Sequence, residues 1–335
     1  MLDNKSVLIT GGTGSFGQRF VETVLREHRP SRLVIFSRDE LKQYEMAQRF
    51  PESRYPCLRY FIGDVRDRGR MMRALAGVNI VVHAAAMKHI TAAEYNPTEC
   101  IATNVGGAQN VIDAAIDNNV EKVIALSTDK AANPINLYGA TKLCSDKLFI
   151  GANNLAGHHR TRFAVVRYGN VIGSRGSVIP LFKKLMAQGV KRLPITHPDM
   201  TRFVITLDQG VSFVLRSLDD MAGGEILVPK LPSLKIIDIV SLIAGEGCYE
   251  VVGIRPGEKL HEVMIPREEA RKTFDMGDHY LIQPAHHWWD ISAFLERVRE
   301  CGQPVTEPFE YASDVNEWRT SREELTRLIE TAPAA

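Results

Sequence analysis

Six short apolar runs mark the first half of the chain. They are rich in valine, isoleucine and phenylalanine, and they lack the strict alternation of a half-exposed strand. Continuous apolar strands of this length are typical of a parallel sheet that is covered on both faces. The predicted strands occupy residues 6–10, 32–37, 58–63, 79–85, 122–128 and 162–168.

Longer amphipathic segments separate these runs and predict helices. Strands that alternate with helices through right-handed crossovers predict an α/β fold built on a doubly wound parallel sheet of the Rossmann type. In such sheets ligands bind at the carboxyl ends of the strands. The predicted helices lie near residues 15–28, 39–49, 67–76, 104–118, 136–155 and 207–220.

The alternation of apolar strands and amphipathic helices ends at about residue 170, beyond which proline and glycine become frequent. This change predicts a smaller α/β lobe over the open edge of the sheet. Because 201–228 again reads as a helix and a strand that return to the sheet, the lobe is expected to be discontinuous. The predicted nucleotide-binding domain is 1–169 plus about 201–230, and the predicted substrate lobe is about 170–200 plus 231–335.

Composition narrows the class of protein. With 41 Lys+Arg against 40 Asp+Glu the formal charge is +1, which predicts no nucleic-acid partner. No apolar run is long enough to span a bilayer, and the start of the chain does not read as a signal peptide, so we expect no membrane partner. Five scattered cysteines without C-x-x-C spacing predict reduced thiols and a cytoplasmic location: Cys57, Cys100, Cys144, Cys248 and Cys301.

A glycine-rich loop follows the first strand and opens the first helix. Glycine permits the tight turn and a close backbone approach, and the helix N-terminus offers amides to a pyrophosphate. A glycine turn without a ligand is the alternative, but the position in the first βαβ unit favours nucleotide binding. The predicted loop contacts are Gly11, Thr13, Gly14, Ser15, Phe16 and Gly17.

The ends of the second and third strands suggest which cofactor binds. Ser37 and Arg38 stand where an acidic residue would otherwise bind the ribose hydroxyls of NAD, and both can bind a 2′-phosphate. NADP is therefore the predicted cofactor, with Asp39 assigned to the next helix. Asp64 and Val65 are placed at the adenine edge, although a helix cap is an equal alternative for Asp64.

The stretch STDKAANPINLYGATK, 127–142, carries the candidate chemistry. Tyr138 and Lys142 are four residues apart and share one helix face, where a lysine ammonium would favour the tyrosinate. Thr128 stands at the end of the preceding strand. The adjacent Asp129 and Lys130 have no use in a plain dehydrogenase, although a loop ion pair is the alternative for them.

Over nearly its whole length the chain resembles the extended short-chain dehydrogenases/reductases. Within them it is similar to the inverting UDP-N-acetylglucosamine 4,6-dehydratases of pseudaminic acid synthesis. Related dehydratases that also epimerise carbon 3 have methionine in place of Tyr138, and retaining dehydratases have Asp-Glu in place of Asp129–Lys130. The resemblance rests on TGGTGSFG, FSRDE, GDVRD, HAAAMKH, STDKAANPINLYGATK, RYGNVIGSRGSVIPLF, MTRF and GIRPGEKLHE.

The resemblance implies a reaction. Tyr138 takes the proton of the sugar 4-hydroxyl while NADP accepts the hydride from carbon 4, and the new ketone acidifies carbon 5. Water is then lost across carbons 5 and 6, with Lys130 as the base and Asp129 as the acid. That assignment needs a neutral lysine and a protonated aspartate, and the two roles can be exchanged.

The resemblance also implies substrate contacts. Ala84 at the end of the fourth strand and Lys88 after it lie beside the cofactor, and Lys88 also reaches the sugar. For each polar contact, a solvated surface residue is the alternative. The other substrate contacts that the resemblance implies are Asn170 at the sugar or its phosphate, Val178 and Ile179 as walls for the uracil, Arg202 and Arg255 at the diphosphate, and Glu258 at the uridine ribose.

Three further expectations complete this picture. The histidine clusters at 158–160 and 286–290 are read as packing residues, so no metal is predicted. The resemblance suggests a homo-oligomer, either a dimer or a hexamer. The alternative functions are a nucleotide-sugar 4-epimerase or another hexose dehydratase, and, outside enzymes, an NADP-sensing regulator.

Overall fold

The computed structural model describes residues 2–174, 176–287 and 289–332. Its strands are β1 (Ser6–Thr10), β2 (Arg32–Ser37), β3 (Leu58–Ile62), β4 (Ile80–His83), β5 (Lys122–Thr128), β6 (Arg162–Tyr168), β7 (Asn170–Val171), β8 (Leu193–Ile195), β9 (Thr201–Ile205), β10 (Ile226–Pro229), β11 (Ser233–Lys235), β12 (Tyr249–Val251), β13 (Val263–Ile265), β14 (Thr273–Asp275), β15 (His279–Ile282), β16 (Gln303–Pro304) and β17 (Tyr311–Ala312).

The helices follow the predicted alternation with the strands. They are α1 (Ser15–Glu27), α2 (Glu40–Arg49), α3 (Arg68–Ala74), α4 (Ile90–Tyr95), α5 (Pro97–Ile101), α6 (Gly107–Asp117), α7 (Leu137–Leu155), α8 (Val178–Ala187), α9 (Leu207–Asp220), α10 (Ile236–Ala244), α11 (Arg267–Ala270), α12 (Ser292–Cys301) and α13 (Arg322–Thr331). A π-helical turn, Ala102–Gly106, precedes α6, and a 3₁₀ turn, Asp129–Ala131, follows β5. In the described part of the chain, no helix combines the length and the apolar character needed to cross a membrane.

One large sheet organises the described residues. Its ten strands run in the order β16-β14-β15-β10-β6-β5-β4-β1-β2-β3. From β10 to β3 neighbouring strands pair in parallel, and the order reverses between β1 and β4. This is the predicted doubly wound α/β sheet, and the reversal leaves a crevice at the carboxyl ends of β1 and β4.

The apolar runs are buried as their composition requires. Every residue of β1 is buried, and so is every residue of β4. Helices cover both faces of the sheet, so no strand position between them needs a polar side chain. The resulting core is continuous along the parallel strands. It holds the strand ends rigidly, which is what a site built from those ends requires.

Small sheets form the second part of the molecule. The described strands pair as β11-β9-β7, β12-β8 and β13-β17. A separate apolar cluster that includes Phe182, Leu193 and Val240 receives side chains from β8, β9 and β11, whereas β13 and β17 pack into the core of the large sheet. As expected, α9 and β10 return to the large sheet, but β9 joins a small one. Moreover, β14, β15 and β16 extend the large sheet in antiparallel fashion, although residues after 230 are predicted to build the lobe. The exact division into a nucleotide-binding domain and a substrate lobe stays a prediction.

Candidate active site

A cavity of about 1000 Å³ opens at the carboxyl ends of the parallel strands. It runs from the glycine loop, past α7, to the small sheets, and this volume lies at the upper end for small-molecule sites. It brings together the predicted residues Gly11, Thr13, Gly14, Ser15, Phe16, Gly17, Ser37, Arg38, Asp64, Val65, Ala84, Lys88, Thr128, Lys130, Tyr138, Lys142, Asn170, Val178, Arg202, Arg255 and Glu258. Asp129 and Ile179 do not line it.

The glycine loop fits a dinucleotide pyrophosphate. Gly11 has a φ of 66°, and a Cβ there would lie 2.9 Å from the backbone nitrogen of Ala85. A Cβ on Gly17 would lie 2.4 Å from the carbonyl oxygen of Gly12. Only glycine allows this close path, which aims the N-terminus of α1 into the cavity. Gly14 caps that helix without a side-chain hydrogen bond.

The end of β2 presents polar and cationic groups to the cavity. Ser37 is buried, and its Oγ lies 2.8 Å from Oγ1 of Thr13. Arg38 is exposed, and its Nη1 lies 3.5 Å from Oδ2 of Asp64. Lys42, which sequence reasoning did not single out, also lines this end. Asp39 caps α2 by accepting a hydrogen bond from the Lys42 amide, as predicted.

Asp64 is not a helix cap, because Asp67 caps α3. Instead, its carboxylate accepts hydrogen bonds from the amide and the guanidinium of Arg66. Partial burial raises the pKa of Asp64, but these hydrogen bonds outweigh burial and lower the pKa below its ordinary value. Val65 is buried beside it and packs near Gly107. Both residues therefore stay candidates for the adenine edge, with Asp64 held in place by Arg66.

Tyr138 and Lys142 lie on the first turns of α7, which Asn136 caps. Both are buried, and Tyr138 is 9% exposed. Burial raises the pKa of Tyr138 to about 12, and the cation that opposes this shift is Lys130. Lys142 was expected to favour the tyrosinate. Its own pKa is lowered by burial, an effect that Asp146 opposes.

The Asp129–Lys130 pair sits on the 3₁₀ turn that α7 packs against. A Cβ on Gly139 would lie 2.2 Å from the carbonyl oxygen of Lys130, so the turn and the helix are in close contact. Asp129 is 0% exposed, and its Oδ1 accepts hydrogen bonds from Oγ1 of Thr128, at 2.8 Å, and from Nζ of Lys130, at 3.0 Å. Asp129 is therefore buried behind the cavity wall, and the Lys130 side chain, which is 19% exposed, is largely covered.

Lys130 reaches the cavity between two carboxylates. Its Nζ lies 3.0 Å from Asp129 Oδ1 and 3.3 Å from Glu262 Oε1, and it donates a hydrogen bond to Asn170 Oδ1 at 3.1 Å. Burial lowers the pKa of Lys130, but the two carboxylates outweigh burial and raise this pKa above its ordinary value. With these partners Lys130 is an ammonium, whereas the predicted base role needs a neutral amine.

The predicted uracil walls separate in the structure. Val178 lines the cavity at the start of α8. Ile179 is 2% exposed and packs into the apolar cluster of the small sheets with Phe182 and Leu193, which corrects its assignment as a wall. Consecutive helical residues point about 100° apart, so one of the two faces the cavity and the other the core.

The two predicted diphosphate ligands differ in availability. Arg202 is buried, and its guanidinium donates hydrogen bonds to the carbonyl oxygens of Thr201, Lys259 and Leu260. Few of its donors remain for a phosphate. Arg255 is exposed at the cavity mouth, which makes it the stronger candidate. Glu258 lies between them, with Oε1 at 3.7 Å from Nη2 of Arg202.

Among the described residues, the histidine clusters do not assemble a metal site. His158 and His159 stack on each other near Asn119. In the second cluster, Trp288 lies outside the described residues. Across 2–174, 176–287 and 289–332, no three His, Cys, Asp or Glu side chains are grouped so that they could hold a metal ion.

Comparison with known proteins identifies the family. Residues 7–284 match the family model described as polysaccharide biosynthesis protein. The chain belongs to this family. It is 53% identical over 331 residues to a Campylobacter jejuni protein named UDP-N-acetylglucosamine 4,6-dehydratase (inverting), covering 98% of each chain.

Two other known proteins are similar to the chain over most of its length. A Rickettsia canadensis protein named UDP-glucose 4-epimerase is 42% identical over 84% of each chain. The X-ray structure of Pen from Bacillus thuringiensis has a TM-score of 0.88 and 35% identity, covering 98% of each chain. These matches confirm the predicted resemblance and the α/β fold.

Sequence reasoning on this family member missed Glu262. The residue stands in GIRPGEKLHE, but no local pattern there distinguishes a buried carboxylate from a surface one. Its contacts with Lys130 and Arg202 arise from chain segments more than 50 residues away. Only the tertiary structure could reveal it.

Proposed function

We propose that the protein is an NADP-dependent, inverting UDP-N-acetylglucosamine 4,6-dehydratase that makes a UDP-4-keto-6-deoxy sugar. The observation that carries this proposal is the position of Lys130. It reaches the same cavity as the glycine loop and Tyr138, and it contacts Asp129 and Glu262. An oxidation at carbon 4 alone would need Tyr138 and Lys142 but no further acid–base group.

The cavity fits NADP at three places. The glycine loop and the N-terminus of α1 would hold the pyrophosphate, and Ser37, Arg38 and Lys42 would hold the ribose 2′-phosphate. Tyr138 and Lys142 stand where the nicotinamide end would lie. When bound, this cofactor supplies a two-electron acceptor for carbon 4 and a hydride for carbon 6.

The protein's own residues handle four proton transfers. Two protons leave the sugar, one from oxygen 4 and one from carbon 5, and two are added, one at oxygen 6 and one at carbon 5. Tyr138 takes the first of these. The number of protons removed from the sugar equals the number added to it. The side chains therefore finish the cycle in their starting protonation states if one proton can pass directly between neighbouring groups.

The contact geometry supports such an exchange at Lys130. Moving one proton from its ammonium to a touching carboxylate gives a neutral amine and a neutral acid without changing the net charge. The neutral amine can then accept the carbon 5 proton. Bound substrate excludes water, which disfavours an ion pair relative to its neutral form.

An epimerase is the closest alternative in reaction type, given the Rickettsia canadensis relative. Epimerisation at carbon 4 removes no oxygen, so it needs no acid or base at carbons 5 and 6. The Asp129–Lys130 pair, a buried carboxylate beside a largely covered lysine that reaches the cavity, favours the dehydratase. The buried pair Tyr138 and Lys142 likewise counts against an NADP-sensing regulator.

The proposal extends to biological context. The product would serve bacterial surface-glycan synthesis, including nonulosonic acids such as pseudaminic acid. We further propose that the enzyme acts in the cytoplasm as a homo-oligomer, either a dimer or a hexamer. Size-exclusion chromatography with light scattering tests the assembly, and a monomeric mass would contradict it.

The function is tested by incubation with UDP-N-acetylglucosamine in deuterated water, followed by NMR. We expect a 4-keto-6-deoxy product that carries solvent deuterium at carbon 5 with inverted configuration. Reduced cofactor should not accumulate. Net formation of reduced cofactor, or a product that keeps its 6-hydroxyl, would refute the dehydratase.

Cofactor choice yields a second prediction. Replacing Arg38 by alanine should weaken NADP binding by about 10- to 100-fold, since it removes a charge-assisted hydrogen bond to the 2′-phosphate. NAD binding should change little. Fluorescence titration with both reduced cofactors measures this, with Arg26→Ala, a change at an exposed residue of α1, as the control. Equal weakening of both cofactors would exclude this role for Arg38.

A further inference from the structure

Glu262 is a buried carboxylate in the cavity wall. It is 2% exposed and lines the cavity directly before β13. Its Oε1 lies 3.3 Å from Nζ of Lys130 and 3.7 Å from Nε of Arg202. Burying a carboxylate this deeply costs free energy unless the group is paired, so a functional role would explain its position.

The two oxygens of Glu262 have different surroundings. Oε1 faces the two cations, whereas Oε2 is buried and has no hydrogen-bond partner among the described residues. An unpaired buried oxygen costs stability, of the order of 1–3 kcal/mol in general. Among the described residues that line the cavity, Oε2 is the buried carboxylate oxygen that is left without a hydrogen-bond partner.

Asp129 is less suited to meet a substrate. Its Oδ1 already accepts hydrogen bonds from Thr128 and Lys130. Its Oδ2, like Oε2 of Glu262, has no partner among the described residues, but Asp129 is fully buried behind the cavity wall. Glu262 lines the cavity, and Asp129 does not. Both carboxylates contact Lys130, but only Glu262 combines that contact with access to the cavity.

The backbone of Glu262 is held rigidly. Its amide donates to Oγ of Ser313 at 2.9 Å, and its carbonyl oxygen accepts from the amide of Ser313 at 2.8 Å. Ser313 directly follows β17, which pairs with β13. The side chain is thus anchored on a strand pair, as a preorganised acid–base group should be.

Burial favours a proton on this carboxyl group. Burial raises the pKa of Glu262, and the negative charge of Asp129 adds to the effect. Lys130, Arg202 and Lys259 oppose it. A carboxyl group with a raised pKa, next to an amine, can hold a proton that a surface carboxylate would release.

Building on the proposed function, we propose that Glu262, and not Asp129, is the catalytic acid that protonates the departing 6-hydroxyl, with Lys130 as the base at carbon 5. A proton moves from the Lys130 ammonium to Glu262 when substrate binds. Lys130 then takes the carbon 5 proton, the C5–H electron pair forms the C5=C6 double bond, and the C6–O6 bond breaks. Glu262 protonates oxygen 6, which leaves as water.

The proton balance of this scheme closes. Lys130 has gained one proton and Glu262 has lost one, so the pair returns to its starting ion pair across the 3.3 Å contact. The proton taken from oxygen 4 balances the one returned to carbon 5. Asp129 is then a positioning residue that holds Lys130.

The test compares Glu262→Gln with Asp129→Asn in deuterated water. Glutamine cannot donate the proton, so we expect dehydration by Glu262→Gln to fall by about 100-fold or more. Oxidation at carbon 4 should continue, so reduced cofactor accumulates. Carbon 5 should still exchange with solvent, because loss of the Glu262 charge lowers the pKa of Lys130 and Asp129 remains in contact to take its proton. Exchange without elimination is the expected signature, measured by NMR and by absorbance of the reduced cofactor.

The controls separate this inference from the proposed function. Glu310→Gln makes the same change next to β17, outside the cavity lining, and should leave the reaction unchanged. Glu262→Asp keeps a carboxyl group and should retain part of the rate even if Glu262→Gln folds poorly. A wild-type enzyme that forms no dehydrated product would refute the function itself.

Three outcomes would overturn the role of Glu262 alone. The first is normal dehydration by Glu262→Gln. The second is loss of carbon 4 oxidation together with dehydration in that variant, which would indicate a structural role. The third is exchange without elimination in Asp129→Asn but not in Glu262→Gln, which would return the acid role to Asp129.

A readout without substrate is available as well. Because the Glu262 carboxylate raises the pKa of Lys130, Glu262→Gln should lower that pKa. Acylation of Lys130 near neutral pH, followed by peptide mass spectrometry, should therefore be faster in the variant. An unchanged rate would show that the two side chains are not coupled.

Discussion

Replacing Lys130 by methionine is expected to reduce dehydration by about 100- to 10,000-fold, the range typical for loss of an acid–base group. Methionine keeps the length of the side chain but cannot accept the carbon 5 proton. Cofactor binding should persist, because the glycine loop and the end of β2 do not contact Lys130. NMR of the sugar products and fluorescence titration of the cofactor measure the two effects.

Two further variants define what Lys130 contributes. Lys130→Arg keeps the cation between Asp129 and Glu262, but a guanidinium does not lose its proton in proteins, so dehydration should also be lost. If the arginine variant turned over normally, Lys130 would act through its charge alone. Lys147→Met, a change at an exposed position of α7, the helix that packs against the turn carrying Lys130, is the matched control.

The sheet could be predicted because its signal is local. The apolar runs at 6–10, 32–37, 122–128 and 162–168 coincide with β1, β2, β5 and β6. Strands buried on both faces must be apolar throughout, so their ends are visible in the sequence. The short strands of the lobe are only two to four residues long and leave no such signal.

Two other differences between the predicted and the observed elements have identifiable causes. The predicted helix at 104–118 begins with a π-helical turn, where Asn104 hydrogen-bonds to Met87 and to Thr141 on α7. The apolar spacing does not reveal this extra residue per turn. Similarly, β14 to β16 join the large sheet through antiparallel pairs between distant segments, which local periodicity cannot indicate.

The residues of the candidate site also fall into two groups, those that local spacing predicts and those that depend on tertiary packing. The glycine loop and the face of α7 follow from spacing within one element, so their residues were found from sequence. The burial of Asp129, the inward turn of Ile179 and the contact of Glu262 with Lys130 depend on how separate elements pack. Charge was hardest to predict: Lys142 was expected to govern Tyr138, yet burial and Lys130 dominate its pKa.

Replacing Tyr138 by phenylalanine is expected to stop the reaction before dehydration. The variant lacks the group that takes the oxygen 4 proton, so carbon 4 oxidation should fall by about 100- to 10,000-fold. Neither reduced cofactor nor carbon 5 exchange should appear, which distinguishes it from Glu262→Gln. Single-turnover absorbance of the reduced cofactor and NMR in deuterated water measure both.

The pH dependence of carbon 4 oxidation gives a second test of the role of Tyr138. Since burial raises the pKa of Tyr138 to about 12, the ligand-free site holds mostly the protonated phenol at neutral pH. The reactive tyrosinate grows about tenfold per pH unit below that pKa, so wild-type carbon 4 oxidation should rise from about pH 6 to about pH 9. Any residual oxidation by Tyr138→Phe should lack this rise.

The matched control is Tyr280→Phe. Tyr280 is a half-buried tyrosine on β15 whose pKa is also raised by burial, but it packs against Phe309 and Tyr311 outside the cavity lining. This variant should keep both the rate and the pH profile of the wild type. Full carbon 4 oxidation by Tyr138→Phe would mean that another base takes the proton, and the catalytic role of α7 would then reduce to holding Lys142.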